Sequence, residues 1–329
     1  MCHLLTKTSS RIAKKTKKRK KEKNAETTSL QTASAFFVHI VIGFAQSVYN
    51  IVKEKQRNRQ KERKKYMRIF ITGDMHGMLD WNKFSEKNWP VQNELTKEDI
   101  VLIAGDFSLP YNAHEDTADH LALNCLEQKN FTIVFIDGNH ENFSALKQYP
   151  IVLFHGAQCH QLRPHIYHMM RGEVLDIADK KILGLGGAVT YTGKKRKKVE
   201  KEKIITKHDC HDYHHSANEI PDDIELAKAY YALVTKKPNI IVTHDGPSDV
   251  VKKIYDITKK PVGKYGFNPS KMQIMLQNML NSIVGENIPV KKWYFGHHHV
   301  DLDIGTKGGI NFRAVYKDIV EIGIVEKTD

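Results

Sequence analysis

Seven side chains of the kinds that bind divalent cations fall in five short clusters: Asp74 and His76, Asp106, Asn139, His244, and His297 with His299. Two carboxylates, one amide and four imidazoles make a mixed oxygen and nitrogen set. That set suits Mn, Fe, Zn or Co rather than Ca. One residue separates Asp74 from His76, so an extended segment places both on one side, able to hold one ion. His297 and His299 share that spacing, and can serve one ion or send one imidazole to each of two. Seven ligands exceed what a single tetrahedral site uses. Two ions are the natural count if one carboxylate bridges them. Ions roughly 3.5–4 Å apart stabilise both the attacking and the leaving oxygen of an in-line displacement at phosphorus.

Ligands so far apart in sequence need a frame that brings them to one point. Each cluster follows directly on an apolar run of strand length: 68–72, 100–104, 131–136, 239–243 and 292–295. Continuous runs of this kind are the pattern of strands buried on both faces. They end in Gly73-Asp74-Met75-His76-Gly77, Gly105-Asp106, Asp137-Gly138-Asn139-His140-Glu141, His244 and Gly296-His297-His298-His299. In open α/β sheets the carboxyl ends of strands are where ligands gather. Glycines beside the ligands let the backbone turn sharply and approach an ion.

Helices are expected over 115–129, over 222–235 after Pro221-Asp222-Asp223, and over 270–284. In the last, Asn268-Pro269 supplies a cap and a first-turn proline. There Met272, Met275, Leu276, Met279, Leu280 and Ile283 fall at helical spacing, which reads as a core stripe. Shorter alternating segments with Gly over 165–186 and 300–325 suggest hairpins.

Charge divides the chain in two. Residues 1–66 hold 18 Lys+Arg and 4 Asp+Glu, whereas residues 67–329 hold 33 and 34. All the basic excess therefore lies in an N-terminal appendage, and 67–329 reads as the catalytic domain. Within the appendage, Lys/Arg runs at 11–23 and 53–65 flank an uncharged apolar stretch, 33–52. Its length could span a bilayer, but His39, Gln46, Ser47 and Asn50 weaken it as a membrane helix. Three readings compete: a membrane anchor, a disordered or helical basic arm touching RNA or anionic lipid, and a dispensable or non-native extension. Met67 favours the last, because it opens a buried-strand pattern that could begin a domain directly. Cys2, Cys125, Cys159 and Cys210 are scattered, which fits a reducing compartment. A cytoplasmic location is expected, with a membrane tether if 33–52 inserts.

The clusters read D-x-H, G-D, G-N-H-E, H and G-H-x-H in that order. The sequence resembles the calcineurin-like metallophosphoesterase superfamily, and most of all its small bacterial and phage members of undefined substrate. The resemblance implies an α/β fold, a two-sheet β-sandwich flanked by helices, with the metals at the strand ends. It implies that Asp74, His76 and His299 bind one metal, that Asn139, His244 and His297 bind the other, and that Asp106 bridges them. Mn is the expected ion. A metal-bridging hydroxide would be the nucleophile, and His140 the general acid or a stabiliser of transition-state charge. One departure narrows the family. Gly105-Asp106-Phe107-Ser108-Leu109-Pro110 lacks the second Asp and the Arg of the G-D-x-x-D-R-G motif of protein phosphatases. That argues against protein dephosphorylation and against an Asp partner for His140 at that site.

Other residues have plainer readings. His298 is expected to point away from the metals, and Glu141 and Asp245 to lie at the surface or behind the ligands. Arg171 either contacts a substrate phosphate or makes a surface ion pair. The basic segment 194–203 reads as a solvated loop, and the His-rich 208–215 as a lid or surface loop. The expected reaction is hydrolysis of a phosphomonoester or small phosphodiester. A nuclease-type phosphodiesterase would want a basic groove, which the balance of residues 67–329 does not support. A non-catalytic scaffold would be expected to have lost ligands, and none is lost.

Overall fold

The computed structural model describes residues 47–54, 66–112, 114–190, 218–259 and 266–326. By their contacts the residues divide into two units, Met1–Lys65 and Tyr66–Asp329. Within the first, residues 47–54 form an exposed helix. The basic run 11–23, most of the apolar stretch 33–52 and of the run 53–65, and the segments 194–203 and 208–215 lie outside the described residues. Among the described residues no helix is long and apolar enough to cross a membrane.

The second unit is built on two sheets. The first has seven strands in the order β13-β1-β2-β3-β6-β5-β4. These are β1 (Tyr66–Thr72), β2 (Ile100–Ala104), β3 (Thr132–Ile136), β4 (Ile151–Phe154), β5 (Ala157–Arg163), β6 (Ile166–Met169) and β13 (Val320–Glu326). The second has six, in the order β11-β12-β10-β9-β8-β7. Its members are β7 (Val174–Ile177), β8 (Lys180–Leu185), β9 (Ile240–Thr243), β10 (Lys292–Phe295), β11 (Leu302–Lys307) and β12 (Ile310–Ala314). The strands followed by ligand clusters pair in parallel and end level. Thr72 lies opposite Ile103, Ala104 opposite Ile136, and Thr243 opposite Phe295. Each following loop therefore starts at the same edge of its sheet.

Alternation along these strands explains the layers. Ile69, Ile71, Leu102, Val134 and Ile136 pack with Ile182, Ile240, Val242 and Tyr294 in one buried cluster shared by both sheets. The intervening Phe70, Val101, Ile103, Ile133 and Phe135 turn to the outer face, against α1 (Thr117–Glu127). On the far side, Ile241, Trp293 and Phe295 pack under α2 (Asp223–Lys236), α3 (Ser248–Thr258) and α4 (Lys271–Gly285). Strands covered on both faces are buried throughout, which is why they read as unbroken apolar runs.

Several elements differ from expectation. Helix α4 is capped by Ser270 in a capping box with Gln273, so Asn268-Pro269 lies outside the helix. Ser270 offers the hydroxyl that the third amide needs, and Asn268 stands too early to reach it. Met272 and Met279 of its stripe are fully buried, as core. Over 165–186 one hairpin is β7–β8, while β6 closes a second with β5, which begins before this segment, and joins β3 in parallel on its other side. Over 300–325 the hairpin is β11–β12, while β13 crosses to the first sheet and pairs with β1.

Arg171 needs a correction. It does not sit at the surface; its side chain is 5% exposed and is held in an ion pair. Its Nε and Nη2 donate to Asp137 Oδ2 at 2.8 and 2.6 Å, and its Nη1 to Glu225 Oε2 at 2.9 Å. Asp137, the residue that follows β3, is a buried carboxylate and needs a cation beside it. Burial opposes its charge, but Arg171 and His168 hold it well below the usual carboxylate range. The pair ties the end of β3 to the start of α2. Arg171→Met should lower the unfolding free energy by about 3–5 kcal/mol, because Asp137 is left buried without its closest cation and with only His168 beside it. Denaturant titration measures this, and adding Asp137→Asn should restore part of the loss. An unchanged midpoint in Arg171→Met would show that the pair carries no stability.

Candidate metal centre

Loops from both sheets converge at the strand ends. Asp74 and Asp106 are almost wholly buried there, as is His244. Three groups of side chains bring their ligand atoms within 4.8 Å of one another: Asp74 with His76 and His299, His76 with Asp106 and His140, and Asp74 with Asp106 and His244. Asp106 faces two ways. Its Oδ1 lies 3.3 Å from His244 Nε2, and its Oδ2 lies 3.4 Å from His76 Nε2. Asn139 enters through its carbonyl oxygen, 3.2 Å from His244 Nε2. His297 belongs to none of the three groups. Its ring stands 5.1 Å from that of His244, and its main-chain N–H donates to Asp74 Oδ1. His140 sits at the rim, one-third exposed, with Nε2 4.0 Å from Asp106 Oδ2.

Local backbone geometry makes this convergence attainable. His76, Asp106, His297 and His299 all have left-handed φ, between 47° and 65°. Such φ values are uncommon for residues other than Gly and mark places where surroundings override local preference. Two glycines are required by packing. A Cβ on Gly105 would stand 2.1 Å from His244 Nδ1, and one on Gly138 would stand 2.1 Å from Asp106 Oδ1. No larger residue fits between these loops.

The donor set suits cations. His244 Nδ1 lies 2.7 Å from the Ala104 carbonyl, to which it can only donate, so Nε2 is left facing the oxygens of Asp106 and Asn139. His76 Nδ1 lies 2.8 Å from Asp80, which commits its Nε2 to Asp106 in the same way. Asp74 Oδ2 is buried and makes no hydrogen bond, although His299 Nε2 is 2.9 Å away. Acceptors facing acceptors need positive charge between them. Burial works against charge on His244, yet Asp106 and Asp74 outweigh it and push the imidazole up to about 10. Burial likewise opposes His76, and Asp106 with Asp80 pushes it up to about 9. Burial, aided by His244 and His298 and resisted by Asp245, pushes His297 down to about 4. It is thus a neutral imidazole with a lone pair to give.

Residues behind the ligands hold the loops. His298 points away from the centre, with Nε2 2.9 Å from Asp245 Oδ1. Asp245 is fully buried and also accepts from Gln273 and the Gly246 N–H. Glu141 is buried too, its oxygens accepting from Phe107 N–H at 2.7 Å and Gly138 N–H at 2.8 Å. It therefore joins the second and third ligand loops. A surface position for either acid is excluded; both stand behind the ligands. Burial and the charges of Asp106 and Asp137 push Glu141 up to about 8.

Sequence reasoning missed Asp80, Lys83, Thr190, Glu219 and Tyr316. Thr190 Oγ1 accepts from Asn139 Nδ2 at 3.0 Å, which turns the amide oxygen inward, and Glu219 holds Thr190 in turn. Lys83 Nζ donates to the carbonyls of Gly73, Asp74 and Tyr316. Only Asp80, four residues after His76, offered a local signal.

No curated protein matches the sequence. Among solved structures, a Staphylococcus aureus chain assigned as a 5'-nucleotidase, in complex with α-ketoglutarate, is similar at a TM-score of 0.39 and 10% identity. The match covers 77% of this chain and 49% of that one, so the chain spans about half the length of that relative. Residues 67–301 match the family described as calcineurin-like phosphoesterase. That match spans most of the chain and takes in all five ligand clusters, and the chain belongs to the calcineurin-like phosphoesterase family.

Proposed function

We propose that this chain hydrolyses a phosphomonoester or a small phosphodiester using two divalent cations, Mn serving best. The observation that carries the reading is the pair of buried carboxylates, Asp74 and Asp106, faced by imidazoles whose other nitrogens are already committed. In this reading Asp74, His76 and His299 would hold one cation, Asn139, His244 and His297 would hold the other, and Asp106 would serve both. When bound, the cations supply an acidified water as nucleophile and positive charge for the phosphoryl oxygens. The protein's part is to fix seven ligands on rigid strand ends and to keep His140 at the open rim. The His140 main-chain N–H donates to Asp106 Oδ1 at 3.0 Å, so its backbone is anchored to the centre while its ring meets solvent. From there it can give a proton to the leaving oxygen.

The first test is metal content. The chain should bind two Mn ions and lose activity to a chelator. Protons must leave when the ions enter, because His76 and His244 are raised to about 9 and about 10. A raised imidazole holds its proton below those values, so affinity should rise with pH from 6 to 9. Calorimetry in buffers of different ionisation enthalpy reads the released protons. Stoichiometry of one or less, or uptake without proton release, would count against the reading.

His140→Ala should keep both ions but slow turnover about 10²–10⁴-fold. The slowing should shrink for substrates whose leaving group needs no proton. Equal slowing on activated and unactivated esters would assign His140 to charge stabilisation instead.

The N-terminal appendage is proposed to lie outside the catalytic unit. A chain shortened to begin at Met67 should fold, bind two ions and turn over a small soluble ester at close to the full rate. Any effect of residues 1–66 on polyanion affinity should fade with salt. Insolubility of the shortened chain, or loss of most of its kcat, would move the boundary.

A further inference from the structure

Asp80 is assigned no role by the ligand pattern, yet it makes the closest side-chain contact to His76. The chain after His76 folds back in a tight turn, with Leu79 N–H donating to His76 O and Asp80 N–H to Met75 O. That turn returns the Asp80 carboxylate to the imidazole, Oδ2 lying 2.8 Å from Nδ1. The other oxygen accepts from the Tyr316 hydroxyl at 3.1 Å. The ring of Tyr316 then stacks on His299, with centroids 4.8 Å apart and planes 17° apart. His299 in turn meets His76 edge to face at 5.0 Å. Lys83 closes the set from below, since its ammonium donates at 2.7–2.9 Å to the carbonyls of Gly73, Asp74 and Tyr316.

We infer that Asp80 and Tyr316 are positioning residues for the half of the centre formed by Asp74, His76 and His299. They act separately from Thr190 and Glu219, which orient Asn139 in the other half. The inference rests on the two-cation reading. Asp80 fixes which nitrogen of His76 carries hydrogen, so that Nε2 presents its lone pair toward Asp106. Tyr316 fixes the plane of His299, the most exposed of the proposed ligands, with a side chain 49% exposed. Without these two contacts both imidazoles turn about their own bonds, and this half must order its ligands each time an ion enters. On the other side the Asn139 amide is held through Thr190 Oγ1, and Glu219 accepts from that hydroxyl and from the Thr190 N–H at 3.1 Å each. The two supports come from different segments, 80–83 with 316 in one case and 190 with 219 in the other.

The test is Mn binding to the full chain, followed by calorimetry and by electron paramagnetic resonance, where neighbouring ions couple and a lone ion gives six lines. The wild-type chain should take two coupled ions. Asp80→Ala should weaken one site about 10–100-fold, the usual loss when a ligand's outer partner is removed. The other site should stay near its wild-type affinity, and the six-line signal should appear with one ion bound. In a His76→Ala background Asp80→Ala should add little, whereas in an Asn139→Ala background its penalty should persist in full. Tyr316→Phe keeps the stack and deletes only the hydroxyl, so a smaller loss at the same site is expected even if Asp80→Ala fails to fold. Equal weakening of both sites, or two unchanged sites in Asp80→Ala and Tyr316→Phe, would overturn the inference. A wild-type chain that takes fewer than two ions would overturn the two-cation reading itself.

Discussion

Two carboxylates buried beside one another set the terms for the rest of the molecule. Asp74 and Asp106 share one cluster of ligand atoms, with no solvent to screen them. Like charges this close repel strongly at low dielectric, so such a pair persists only with positive charge supplied between and around them. His244 faces both, 3.3 Å from Asp106 and 4.0 Å from Asp74. The level strand ends, the left-handed ligand residues and the close-packed glycines all serve to bring compensating groups to this point. Moving either carboxylate by one residue would place it on the wrong face or at the wrong depth.

Precision here comes from strands rather than from loops. Each proposed ligand lies within a few residues of a strand covered on both faces, so its backbone inherits the rigidity of two layers of packing. Short loops alone would not suffice, and the structure adds side chains that reach from one loop to another. Glu141 spans the second and third loops, Asp245 receives the imidazole of His298, and Lys83 gathers three carbonyls from two segments. Each of these is a buried ionisable group, and each is satisfied several times over. That is the condition under which such groups rigidify a site rather than weaken it.

What could be read from the sequence was whatever repeats locally. An apolar run followed at once by Gly and a ligand appears in one window, so the five ligand-bearing strands stood out and lie where expected to within two residues. Helix α3 was passed over, although Val250, Val251 and Ile254 fall at helical spacing, because Lys252 and Lys253 interrupt the run. Strand β5 carries Gln158, His160 and Gln161 among its apolar residues, which hides its pattern, and β4 is only four residues long. Arg171 was misread for a different reason. Its partners Asp137 and Glu225 lie 34 and 54 residues away, and only the fold shows that a buried acid waits there. Thr190, Glu219 and Tyr316 were invisible on the same ground.

The left-handed backbone at His76, Asp106, His297 and His299 has a consequence for how this chain tolerates change. At these positions the residue easiest for the fold to accommodate is Gly or Asn, whereas the proposed chemistry asks for imidazole or carboxylate. Foldability and activity therefore pull in opposite directions at the same four sites. A sequence optimised only for thermal stability would drift toward losing its ligands there, and would become a sturdier protein with no reaction to perform.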